Sequence, residues 1–103
     1  MAITTQIMPM GGGTIYATRF EGNATKTFGK SGKTYFVAAI NNSGSSRTPS
    51  VSVNGTTLVS GYDKTNPLSA ESWTVVPGPV TIEYSVTVGR YSASVVATEV
   101  TPI

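Results

Sequence analysis

The chain has 103 residues, 39% of them hydrophobic and 12% charged, with a net charge of +2 and neither cysteine nor histidine. That length suits a single domain. Without histidine there is no histidine-based triad, no histidine-liganded metal and no ordinary general base near neutral pH; without cysteine there is no disulfide, thiolate site or thiol nucleophile; and so slight a positive charge is no signature of nucleic acid or an anionic membrane.

Sixteen Thr, twelve Val and six Ile stand against two Leu, and eleven Gly, six Pro and five Asn supply turn punctuation. β-Branched side chains lose rotamer freedom on a helix but fit a pleated surface. The composition therefore predicts an all-β chain. Residues 1–10 carry Ile3, Ile7, Met8 and Met10 without a charge and precede Gly11-Gly12-Gly13. Two readings suit them: an apolar arm on a glycine swivel, or a first edge strand of the same domain. On the arm reading the chain divides into an arm, 1–13, and a β-sandwich, 14–103, and Ile3, Ile7, Met8 and Met10 are assembly contacts. The segment has neither the basic n-region nor the long apolar core of a secretory signal, so a chain beginning at Met1 is expected to be made and kept in the cytosol.

Residues 14–20 and 23–28 read as short strands around Glu21-Gly22, and Gly29-Lys30-Ser31-Gly32 as a turn. Residues 33–40 are apolar on both phases, which predicts a central strand covered on both faces. Residues 41–46 are a polar loop. Residues 49–53 and 56–60 flank Asn54-Gly55, a strong hairpin signal; pairing across it sets Val51 opposite Leu58 and Val53 opposite Thr56. Residues 61–70 form the longest irregular stretch. Residues 71–76 place Trp73 and Val75 on one phase, read as core, and Pro77-Gly78-Pro79 stops the strand. In 80–88, Val80, Ile82, Tyr84, Val86 and Val88 alternate with polar residues without a violation. A Gly89-Arg90 turn would pair this strand with 91–98, setting Val88 against Tyr91, Val86 against Ala93, Tyr84 against Val95 and Ile82 against Ala97. The sum is an antiparallel β-sandwich of seven to eight strands, immunoglobulin-like or jelly-roll.

Little chemistry is on offer. Gly29-Lys30-Ser31 and Gly32-Lys33-Thr34 each mimic the end of a phosphate loop, but Ala24 and Thr27 stand where that motif needs glycine, and a strand follows instead of a helix. Glu21, Asp63, Glu71, Glu83 and Glu99 do not cluster as a glycosidase pair or a calcium loop requires. Lys26, Lys30, Lys33 and Lys64 lie in polar stretches unsuited to activating a serine. The glycosylation-like triplets at Asn23, Asn41 and Asn54 are expected by chance in so Asn- and Thr-rich a chain. Trp73, Tyr35 and Tyr84 fall in phase with core residues, which leaves Tyr62, in the long loop, as the candidate ligand contact. No catalytic residue, cofactor or metal is predicted.

The Thr-, Ser-, Val- and Gly-rich composition with an apolar N-terminal segment, together with Phe36-Val37-Ala38-Ala39-Ile40-Asn41-Asn42-Ser43-Gly44 and Val51-Ser52-Val53-Asn54-Gly55, resembles small bacteriophage virion proteins of the capsid decoration or cement type. The resemblance spans about 20 residues, Phe36 to Gly55, and carries over no residue role. It implies a structural protein of the virion that binds a capsid or tail protein lattice, often as a homo-oligomer, without nucleic acid or membrane as partner. The alternative is a carbohydrate- or receptor-binding module of a phage tail or cell surface.

Overall fold

The structure, a computed structural model, describes residues 2–10, 13–41, 49–61, 71–86 and 92–100, with side chains from Thr14 onward. The described residues form nine strands: β1 (Ala2–Met10), β2 (Gly13–Glu21), β3 (Ala24–Phe28), β4 (Thr34–Asn41), β5 (Ser50–Val53), β6 (Thr56–Ser60), β7 (Glu71–Pro77), β8 (Val80–Ser85) and β9 (Ser92–Val100). They form a five-stranded sheet, β1-β2-β9-β4-β7, and a four-stranded sheet, β3-β8-β5-β6, every pairing antiparallel. The fold is an antiparallel β-sandwich. With β1 set aside, the chain alternates between sheets everywhere except the β5–β6 hairpin, and the first and last strands, β2 and β9, lie side by side. This is jelly-roll winding, which separates the two architectures left open above. The ninth strand is β1: residues 2–10 pair along β2 from Ala2↔Glu21 to Met10↔Gly13, at the edge of the five-stranded sheet.

The core lies between the sheets. Phe20, Tyr35, Val37, Ala93, Val95 and Ala97 close it from one side, and Val51, Val53, Val80, Ile82 and Tyr84 from the other. The predicted inward set of residues 80–86 is buried throughout. Its predicted partner is not. β8 pairs with β3 and β5, and β9 with β2 and β4, so Tyr84 and Val95, and Ile82 and Ala97, belong to opposite sheets. Alternation fixes which face of a strand is buried but not which strand lies beside it; two strands facing each other across a core carry the same pattern as a hairpin. Val88 and the Gly89-Arg90 turn lie outside the described residues.

The Asn54-Gly55 hairpin forms, with φ of 49° at Asn54 and 86° at Gly55. Val53 pairs with Thr56 as expected, but a bulge between Val51 and Ser52 moves Val51 opposite Val59 instead of Leu58. The extra residue turns Val59 into the core and leaves Leu58 half-buried; a bulge of this kind leaves no trace in alternation. Asn54 then locks the tip to the next element. Its Oδ1 accepts from Thr81 N (2.8 Å), its own N–H donates to Thr81 O (2.9 Å), and its Nδ2 donates to Pro77 O (3.3 Å).

At the β3–β4 and β7–β8 corners, Tyr35 fills the space that two glycines leave. Its hydroxyl accepts from Lys30 N at 2.9 Å. A Cβ on Gly29, where φ is +88°, would lie 2.8 Å from the Tyr35 ring, and one on Gly78 would overlap the Lys30 carbonyl oxygen. The Gly78-Pro79 peptide is cis. Pro77-Gly78-Pro79 does end β7, as expected, and the corner it makes carries the chain into the other sheet.

Candidate interaction face

The described residues offer no reactive cluster. Glu21 accepts from Arg19 Nε at 3.0 Å, and Glu99 meets Lys33 at 3.6 Å. Among the described residues no three acidic side chains gather as a metal site would require, and no helix is long and apolar enough to cross a membrane. The stretch with phosphate-loop character is a turn that runs into β4, closed by Lys33 N donating to Lys30 O at 3.3 Å.

All three asparagines of the glycosylation-like triplets hold backbone. Asn23 Oδ1 accepts from Val86 N (2.7 Å). Buried Asn41 donates from Nδ2 to Gly61 O (2.6 Å) and Pro49 O (3.1 Å), tying the end of β4 to the approach of β5 and the exit of β6. Asn54 clamps Thr81 and Pro77 as described.

What stands out is the outer face of the five-stranded sheet. Register aligns it in rows across β2, β9, β4 and β7: Arg19–Ser94–Ile40–Glu71, then Ala17–Val96–Ala38–Trp73, then Ile15–Thr98–Phe36–Val75. Trp73 is 64% exposed, Val75 51% and Phe36 37%, with Val96 and Val100 also open. Trp73 stacks on Phe36 with centroids 5.4 Å apart and planes 28° from parallel. Beside them runs an open groove of about 470 Å³, bordered by Glu71, Ser72 and Ser94. Among these rows the formal charges are Arg19 and Glu71, at opposite ends of one row.

Two expectations are corrected here. Trp73 and Val75 do not face the core: β7 takes its phase from β4, where Tyr35, Val37 and Ala39 are buried, so their partners Val76, Thr74 and Ser72 turn inward and Trp73 and Val75 outward. Residues 33–40 are covered on one face only, since Phe36 is exposed and Ala38 and Ile40 are half-buried. The signal for this face was the second apolar phase of 33–40, which a fully buried strand would also show.

The N-terminal candidates are placed by register alone. Ile3 stands opposite Phe20, Ile7 opposite Tyr16, Met8 opposite Ile15 and Met10 opposite Gly13. Tyr62 lies outside the described residues. No protein-family model, curated protein or solved structure matches the chain.

Proposed function

We propose that the chain is a non-enzymatic virion structural protein that decorates or cements a bacteriophage capsid through protein–protein contacts. The observation that supports this reading is the exposed apolar face around Trp73, Phe36, Val75 and Val96. Large contiguous apolar patches on soluble domains mark contact surfaces, and tryptophan is the residue type most enriched at their energetic centres. Jelly-roll winding is shared by capsid proteins and lectins, a likeness of fold that argues for neither function.

The test is association with the icosahedral shell encoded beside this gene. Wild-type protein should co-sediment with shells, and Trp73→Ser should lose most of that binding while keeping its thermal midpoint. Absence of co-sedimentation, or a gene neighbourhood without capsid, portal and terminase genes, would overturn the proposal. Turnover abolished by one carboxylate substitution would overturn its non-enzymatic part.

A second reading, a carbohydrate-binding module, draws on a specific feature: an open indole beside Glu71 and Ser94, where a sugar ring could stack and its hydroxyls donate to the carboxylate. Retention on immobilised glycans, lost in Trp73→Ala, would favour it.

A further inference from the structure

We propose that the outer face of the five-stranded sheet binds a second copy of this chain, about a two-fold axis that runs parallel to the strands between β9 and β4. The inference rests on reading that face as a protein contact, and names the partner.

The argument is self-complementarity. An isologous interface requires one patch to fit itself. Rotation about this axis lays β7 over β2 and β4 over β9 of the other copy. Trp73 then covers Ala17, and Phe36 covers Thr98, so the large rings of one copy meet small side chains of the other. Arg19 and Glu71, at opposite ends of their row, come face to face twice with opposite sign. A two-fold perpendicular to the strands would instead set the charged row over the far end of the sheet, where Glu71 meets no cation and Arg19 keeps only Glu21 of its own chain. Sheets pack face to face about 10 Å apart with strands nearly aligned, within joint reach of an arginine and a glutamate. The Arg19–Glu21 contact uses Nε, and a guanidinium has further donors for a second carboxylate.

Strands about 4.8 Å apart, with same-face residues about 6.8 Å apart along each, make the face roughly 400–500 Å² per copy. The two copies together bury about 800–1,000 Å², below the roughly 1,200 Å² of stable specific interfaces and in the range of weak, transient ones. The dimer should therefore be concentration-dependent.

Sedimentation equilibrium on the full chain, from low micromolar to near millimolar, tests this. Wild type should follow a monomer–dimer equilibrium. Glu71→Arg and Arg19→Glu should each weaken it at least about tenfold by opposing like charges, and the double variant Arg19→Glu/Glu71→Arg should recover most of the loss. Thermal midpoints serve as the folding control, since both side chains are exposed. A monomer at every concentration, or a double variant no better than the singles, overturns the proposal. If the chain stays monomeric while Trp73→Ser still reduces shell binding, self-association fails and the protein-contact reading survives. If the dimer forms with charge-swap recovery and shells are ignored, self-association and the protein-contact reading stand and the shell-decoration reading fails.

Discussion

Ile82 and Glu83 are neighbours with opposite fates, one fully buried between the sheets and the other exposed. Ile82→Ala should cost about 2–5 kcal/mol in chemical denaturation and Glu83→Ala under about 0.5; equal losses would mean the inward face is assigned wrongly. Glycines separate in the same way. A methyl at Gly78 meets the Lys30 carbonyl and lies 2.7 Å from the Tyr35 ring, whereas one at Gly32 meets nothing within 4 Å. Gly78→Ala should therefore cost about 3 kcal/mol, the upper range for overpacking, and Gly32→Ala about 1 kcal/mol for its left-handed backbone. Tyr16, stacked on Phe28 at 4.8 Å, has its hydroxyl pushed above the ordinary value of 10.0 by burial, then by Tyr35 and Glu99. As pH rises the unfolded chain loses this proton first. The stability held by neutral Tyr16 is thus intact below about pH 10 and falls as pH climbs through the raised folded value. Tyr16→Phe should flatten that alkaline decline in a pH series of thermal midpoints.

At the scale of strands, β1 is the element whose role can be decided by removal. It pairs with β2 along its whole length, and Ile3 and Ile7 stand opposite Phe20 and Tyr16, residues on the core side of β2. Deleting residues 1–10 should lower the thermal midpoint by about 4–16 °C, the shift of a 1–2 kcal/mol loss in a domain of this size. An unchanged midpoint with lost association would return the segment to the docking-arm role. Strands were the legible part of this chain. Asn54-Gly55 announced its hairpin because positive φ at both positions is a local demand. The perfect alternation of 80–86 announced its buried face. What stayed hidden were relations between distant elements: the bulge at Val51, the phase that β4 imposes on Trp73, and the separation of β8 from β9. The exposed face was misread for the same reason. Phe36 and Trp73 look like core in one dimension, and only the register across β4 and β7 shows that nothing in this chain's described residues covers them.

For the molecule as a whole, the two sheets are stitched by hydrogen bonds as well as by apolar packing. Asn41 and Asn54 lie at different corners, and each holds carbonyls or amides of segments 8–27 residues away in sequence. Asn41, the buried one of the two, carries specificity, since a buried amide rewards one arrangement and penalises others. That leaves the interior to β-branched and aromatic packing and the surface to recognition.

The middle strand of the five-stranded sheet is β9, and it is translated after both of its neighbours, β2 and β4. During synthesis the sheet is therefore missing its centre until the end: β2 and β4 each wait with an unpaired edge, and an unpaired edge is a template for other chains. Pairing Ala17 with Val96 also closes a loop spanning most of the chain, which makes folding slow by the rule that non-local contacts delay the transition state. A nascent chain stalled before Ser92 should be protease-sensitive and prone to pair with its siblings on a polysome, whereas one released beyond Val100 should become protected. Protection already complete before β9 is made would show that the two halves of the sheet hold together without the strand between them.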